Sequence, residues 1–245
     1  MSEIVFDRVS VRYADNKENV LALDDLSFAF HPSFNVVLGT SGCGKTTLLK
    51  TLAGLLEYQG NIFVDGADIS KTPTNARNMA LVSQQYILYP TKTIFDNIAF
   101  PLKMQKVPTD EIKQRVFEIA KQLDLTACLS RKPKQISGGQ QQRVALAKAI
   151  VKRPSICLLD EPLSNVDPKS RAQARLLIKN ALKSIGCTVI YVTHNVFEAM
   201  SLADNLIVME NGRFQVFGTP DEVYNSKSAA VELLKSGLTD FCIED

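Results

Sequence analysis

The sequence has no apolar run approaching the roughly 18 to 20 residues that a membrane span requires, and its first residues, Met1-Ser2-Glu3-Ile4-Val5-Phe6, hold no basic segment followed by an apolar core. Neither a span nor a leader is expected, so a chain of this kind that serves a membrane would dock there through a partner. A charge imbalance is also missing: 28 Lys and Arg face 26 Asp and Glu. The whole molecule therefore offers no attraction for a polyanion, nucleic acid is not an expected partner, and any phosphate binding has to be local. The five cysteines, Cys43, Cys128, Cys157, Cys187 and Cys242, form no CxxC pair and no zinc spacing. Three of them lie in apolar or small-residue stretches, which suits reduced thiols and the cytosol. Internal repeats and low-complexity linkers are absent too.

What remains is a globular composition, 45% apolar over 245 residues, enough for one large α/β domain or a core carrying a smaller subdomain. Early in the chain apolar residues alternate, at Ile4, Phe6, Val9, Val11 and Tyr13 and again at Leu26, Phe28 and Phe30. That is the period of half-buried strands, and it predicts an antiparallel β layer. A short apolar run then ends in Gly39, and after a loop Leu48, Leu49, Leu52, Leu55 and Leu56 recur at helical spacing. Runs at 62–64, 80–82, 156–159 and 189–192 read as buried strands separated by helices, the pattern of a largely parallel sheet. From Tyr89 to Ile136 the pattern is helical: Thr109 is placed to cap a helix, Asp110 and Glu111 suit its positive end, and Ile112, Val116, Ile119, Ala120 and Leu123 form its apolar stripe. Asp167-Pro168 predicts another helix start, Thr219-Pro220-Asp221-Glu222 a capping box, and Asn211-Gly212 a hairpin turn.

Chemistry enters at Gly39-Thr40-Ser41-Gly42-Cys43-Gly44-Lys45-Thr46, the phosphate-loop pattern G-x-x-x-x-G-K-[ST]. Its glycines let the backbone curl until successive N–H groups face phosphate oxygens, and the helix starting near Lys45 adds its positive end. Lys45 would neutralise charge on the β- and γ-phosphates. The Thr46 hydroxyl is placed to ligate Mg²⁺, an ion that keeps several waters and takes few protein ligands. The expected ATP-binding residues run from Gly39 through Thr46 to Thr47. A second apolar strand delivers two consecutive carboxylates, Asp160 and Glu161, to the edge where open α/β sheets bind ligands. Asp160 would hold Mg²⁺ through water, leaving Glu161 to polarise an attacking water. Helix capping or a surface ion pair is the other use of such a pair.

Those two motifs admit many nucleotide enzymes. Ile136-Ser137-Gly138-Gly139-Gln140, followed by Gln141-Gln142-Arg143-Val144-Ala145-Leu146-Ala147-Lys148-Ala149-Ile150, narrows them. Ser137 and two glycines at a helix start make a second anion-binding surface of N–H groups. The run resembles the LSGGQ signature of the ABC ATPase family, with Ile136 in place of the usual leucine. The resemblance implies an α/β P-loop NTPase core with an N-terminal antiparallel β subdomain and an inserted α-helical subdomain. It also implies a head-to-tail dimer, of two copies or of two different ATPase subunits. Each ATP would lie between one subunit's phosphate loop and Ser137, Gly138, Gly139 and Gln140 of the other. On this reading 1–88 and 152–225 form the nucleotide-binding core, 89–151 the helical subdomain, and 226–245 a C-terminal helix and tail.

Further roles follow from the resemblance alone. Tyr13 would stack on the adenine ring, although an edge-strand tyrosine equally suits a core. Gln84, in Val82-Ser83-Gln84-Gln85, would ligate Mg²⁺ and sense the γ-phosphate, with Gln85 toward solvent. Asp167, in Ser164-Asn165-Val166-Asp167, would cross the dimer interface as well as cap its helix. His194 would contact the γ-phosphate and orient Glu161. The segment 84–100 would receive a membrane subunit, with Tyr86, Tyr89 and Phe95 as exposed aromatics, although these equally suit a core. Ile98-Ala99-Phe100-Pro101-Leu102-Lys103, Leu129-Ser130-Arg131-Lys132-Pro133, Ile190-Tyr191-Val192-Thr193-His194 and Gly218-Thr219-Pro220-Asp221-Glu222-Val223-Tyr224 resemble the carbohydrate-importer branch of the family. That branch implies integral membrane subunits, an extracytoplasmic solute-binding protein and a place on the inner face of the cell membrane. Asn195 stands where aspartate is usual and Ser33-Phe34 where Gly-Glu is common. The sequence stops about 20 residues past Tyr224, where the branch usually carries a regulatory β domain. An exporter ATPase stays open. A non-transport ABC ATPase would call for a coiled-coil insertion or a second ATPase domain, and a small-molecule kinase has no use for the signature.

Overall fold

A computed structural model describes residues 1–14, 19–164, 166–226, 228 and 231–232. Asn165, Cys242 and most of the C-terminal helix and tail expected over 226–245 lie outside the described residues. Along the chain β1 (Ile4–Ala14), β2 (Asn19–Phe30), β3 (Phe34–Leu38), α1 (Lys45–Leu52), β4 (Gln59–Val64), β5 (Ala67–Asp68) and β6 (Met79–Val82) precede three helices, α2 (Ile94–Met104), α3 (Thr109–Gln122) and α4 (Gly138–Ile150). Then come β7 (Ile156–Asp160), α5 (Pro168–Ile185), β8 (Thr188–Thr193), α6 (Val196–Leu202), β9 (Asn205–Glu210), β10 (Arg213–Gly218) and α7 (Pro220–Tyr224).

Two sheets result. One is antiparallel, in the order β2-β1-β4-β5; the other has the order β10-β9-β3-β8-β7-β6 and is parallel except where β10 returns along β9. The strands β3, β7 and β8 are buried along their whole length, as near-continuous apolar strands covered on both faces must be. Their alternate residues enter different cores. Val36 and Leu38 join Leu159 and Tyr191 on the face covered by α2 to α6, whereas Val37 joins Leu158 and Val192 on the face covered by α1 and the antiparallel sheet. In β1 the inward parity changes from Ile4 and Phe6 to Val9 and Val11 at Arg8, and in β2 from Leu23 to Leu26 at Asp25. Both residues carry a positive φ of 50°. These are facing bulges: the Arg8 N–H donates to Ser27 Oγ and the Asp25 N–H to Ser10 Oγ, each at 3.0 Å.

Several sequence expectations need correction. The apolar run at 62–64 belongs to β4, which pairs antiparallel with β1 rather than joining the parallel sheet; an apolar run does not encode the direction of its partner. The helix after the phosphate loop ends at Leu52, so Leu55 and Leu56 lie beyond it. Gly54, at φ 75°, lets the Leu55 N–H reach Lys50 O and the Gly54 N–H reach Thr51 O, the paired bonds that close a helix. Thr109 does not cap α3. It is the first helical residue after Pro108, while Asp110 and Glu111 do occupy the first turn. Tyr86, Tyr89 and Phe95 are half-buried rather than exposed: Tyr89 packs on Phe100 beneath the Lys148 ammonium, and Phe95 faces Phe117. The Asp167 cap, the capping box at Thr219 and the Asn211-Gly212 hairpin form where the sequence predicts them. Among the described residues no helix is long and apolar enough to cross a membrane.

Candidate functional site

The parallel strands β3, β8 and β7 lie side by side, with Leu38 opposite Thr193 and Asp160 opposite Val192. Their C-terminal ends therefore bring three loops to one edge: 39–44, the turn after Asp160, and the turn after Thr193. The 39–44 loop curls back so that Gly44, at φ 109°, caps α1 without any side-chain hydrogen bond. A Cβ on Gly44 would collide with the Ala22 carbonyl, so the position admits only glycine. Lys45 is buried, and its ammonium donates to the carbonyls of Gly39 and Thr40, both at 2.8 Å. Cys43 is buried beside it; burial pushes its thiol pKa up, against the pull of Lys45.

From the opposite side the Thr46 hydroxyl donates to Asp160 Oδ1 at 3.1 Å. Burial holds the Asp160 carboxyl above the usual carboxylate range, with the Thr46 bond opposing and the neighbouring Glu161 charge adding. Glu161 adopts φ 45°, a left-handed conformation uncommon for a residue with a side chain, and its N–H is tied to Val192 O at 3.0 Å. Its Oε1 lies 3.1 Å from His194 Nδ1.

Lys45, Thr46 and Glu161 share one cleft of about 390 Å³, lined also by Tyr13, Ser41, Gly42, Gly44, Thr47 and Gln84; Asp160 and His194 stand behind it, in contact with Thr46 and Glu161. Tyr13 is exposed, and its hydroxyl lies 3.2 Å from Thr47 Oγ1. Val20 and Ala22 of β2 line the same cleft. Sequence reading missed them because small and branched apolar residues in a strand carry no sign of a ligand. Gln84 and Gln85 are both exposed beyond the end of β6, with Gln84 in this cleft and Gln85 lining another.

Ser137, Gly138 and Gly139 are not brought to this cleft. They line a second one, of about 270 Å³, with Arg143, Asp167 and Ser170. There Ser137 caps α4: its Oγ accepts the Gln140 N–H at 3.3 Å while Gln140 Oε1 accepts the Ser137 N–H at 3.0 Å. A Cβ on Gly138 or Gly139 would meet nothing within 4 Å. Asp167 Oδ1 accepts the Ser170 N–H at 3.0 Å. As for a metal, the described residues contain no cluster of three or more His, Cys, Asp or Glu able to hold one. The Thr46 hydroxyl and the Asp160 carboxylate are nevertheless hard oxygen donors side by side, which fits an ion that takes few protein ligands.

Comparison with known proteins identifies the family. A family model described as "ABC transporter" matches residues 23–164. A trehalose/maltose import ATP-binding protein of Thermococcus litoralis is 51% identical over 199 residues, covering 78% of this chain and 54% of the relative. An sn-glycerol-3-phosphate import ATP-binding protein of Brucella abortus is 43% identical, over 94% of this chain and 65% of the relative. An oligosaccharides import ATP-binding protein of Bacillus subtilis is 42% identical over 100% of this chain and 69% of the relative. The chain thus spans between half and about two thirds of the length of these curated relatives. Among solved structures, a dimeric ATP-binding cassette in a post-hydrolysis state bound to ADP and Pi superposes with a TM-score of 0.79 at 28% identity, over 89% of this chain and 98% of that one.

Proposed function

We propose, from the premise that this chain belongs to the ABC transporter family, that it is the ATP-hydrolysing subunit of a solute importer and works as half of a head-to-tail pair. One observation carries the reading: the two helix starts suited to an anion, at Lys45 and at Ser137, line different clefts of the same chain. A single copy cannot close both on one triphosphate. Two copies facing in opposite senses can, each placing Ser137, Gly138, Gly139 and Gln140 opposite the other's phosphate loop and Asp167 near the seam. The dimeric cassette with ADP and Pi supports this arrangement.

In this reading Lys45 exchanges the carbonyls of Gly39 and Thr40 for β- and γ-phosphate oxygens. Tyr13 packs on the adenine, and the loop N–H groups from Gly42 to Thr47 surround the phosphates. Glu161, held by its backbone bond to Val192 and by His194, takes a proton from the water that attacks the γ-phosphorus. Catalysis is then electrostatic: preorganised donors stabilise charge that spreads over the phosphoryl oxygens. Thr46 and Asp160 would hold Mg²⁺, with Gln84 as a further ligand, and when bound the ion would neutralise phosphate charge. The names of the relatives favour a sugar or a related polyol as the solute. An import role would call for partners in the membrane, an extracytoplasmic binding protein and a position on the cytoplasmic face.

The test is Glu161→Gln. ATP binding should persist and a dimer should accumulate by size-exclusion chromatography, while hydrolysis falls by about a hundred- to a thousandfold. Wild-type turnover in that variant would refute the assignment.

A further inference from the structure

Helix α6 turns a carboxylate inward. Glu198 is 4% exposed and shares the buried stripe of its helix with Ala199 and Leu202, a place where a charge persists only when its hydrogen bonds are supplied. Its Oε2 accepts from the Tyr191 hydroxyl at 2.8 Å and from the Thr193 hydroxyl at 2.9 Å. Thr193 Oγ1 in turn accepts the Asn195 N–H at 3.0 Å, and the Glu198 N–H donates to Asn195 Oδ1 at 3.0 Å. These bonds bracket a single residue, His194, which sits between Thr193 and Asn195. The same strand end reaches the nucleotide cleft. The Gly39 N–H donates to the Thr193 carbonyl at 3.3 Å and the Glu161 N–H to the Val192 carbonyl at 3.0 Å. The His194 side chain is itself 54% exposed, so its aim at Glu161 depends on the backbone that carries it.

We propose that Glu198 is a positioning residue for ATP hydrolysis: acting through Thr193 and Asn195, it holds the backbone on both sides of His194 so that the imidazole stays on Glu161. The inference rests on the roles given above to His194 and Glu161. A carboxylate suits the task because one oxygen accepts two hydroxyl hydrogen bonds at once, which leaves the Thr193 oxygen free to accept from Asn195. Such a chain of donors, ending on a charge in a buried setting, is stronger than separate bonds. Tyr191 shares the carboxylate, but its hydroxyl leads no further toward His194.

That asymmetry supplies the experiment, a comparison of Mg-ATP hydrolysis by full-chain variants whose melting temperatures are recorded alongside. Thr193→Val and Tyr191→Phe each remove one hydroxyl from Glu198 with little change of shape. Thr193→Val should lower kcat about tenfold with KM for ATP within about twofold, Tyr191→Phe should leave both within about twofold, and Thr193→Ser should restore kcat. In a His194→Ala background Thr193→Val should cost no more than about twofold further. Equal losses from Thr193→Val and Tyr191→Phe, a full additional loss in the His194→Ala background, or no rescue by serine would overturn the proposal. If His194→Ala alone turns ATP over at the wild-type rate, the role given to His194 fails and this inference with it. If His194→Ala is impaired but Thr193→Val is not, only the role of Glu198 falls.

Discussion

The helix that follows the phosphate loop and the helix that follows Ser137 both begin among glycines, yet they treat their own N–H groups in opposite ways. The start of α1 has no side-chain cap, has a buried lysine beside it, and has a glycine that collides with the Ala22 carbonyl if given a Cβ. The start of α4 is closed by its own Ser137 and Gln140, and its two glycines would meet nothing if given a Cβ. The first is shaped by what the chain needs in order to fold and hold an anion unaided. The second leaves open space that none of the described residues fills. On the proposed reading, glycine there answers to the facing subunit.

The largest effect should come from the first region. Lys45→Ala removes a buried cation of the cleft. Loss of a charge-assisted bond of about 1.5–3 kcal/mol should weaken ATP binding by roughly ten- to a hundredfold in calorimetry, with hydrolysis lost. Ser137→Ala should behave differently: ATP affinity of the isolated chain stays within about twofold, while kcat falls by about a hundredfold. If Ser137→Ala weakens binding to the single chain as much as Lys45→Ala, the contrast disappears.

Next come the glycines. Gly44→Ala should destabilise the chain by about 2 kcal/mol or more, because φ 109° is strained for alanine and the Ala22 carbonyl blocks its Cβ. Gly139→Ala should leave the melting temperature unchanged or raise stability by up to about 1 kcal/mol, while still lowering turnover. A melting temperature that falls equally in both would show that the signature glycines serve folding.

These contrasts also mark what could be read in advance. Phosphate loop, carboxylate pair and signature were legible because each needs particular residue types at fixed spacing, and the order of the strands then carries Lys45, Asp160, Glu161 and His194 to one edge. The bulges at Arg8 and Asp25 were not legible, since two strands that slip parity together keep an alternating look. The membership of β4 in the antiparallel sheet was equally hidden. Glu198 escaped notice although an acidic residue on the apolar face of α6, four positions past His194, was a signal that could have been followed.

A smaller effect concerns Asp160. Burial raises its pKa in the folded chain above the unfolded value, so the folded state holds the proton more tightly and stability falls as pH rises from the ordinary carboxylate range through the raised pKa. The penalty is fully present above the raised pKa. Asp160→Asn should therefore raise the melting temperature of the nucleotide-free chain, by roughly 2–4 °C per kcal/mol recovered, with the gain shrinking below about pH 4, even as Mg-dependent turnover is lost. A melting temperature lowered at pH 7 would contradict this. Smallest is Tyr13→Phe, which removes the bond to Thr47 but keeps the ring: KM for ATP should shift by no more than about threefold, in keeping with a partly exposed hydrogen bond. Tyr13→Ala should raise KM further if the ring packs on adenine.

The most direct measurement is a crystal structure of the Glu161→Gln chain with ATP and magnesium. The account predicts two chains in opposite senses, with each γ-phosphate held by Lys45 of one and within hydrogen-bond reach of Ser137 of the other. A nucleotide bound at Lys45 with Ser137 of every chain remote from it would contradict the account.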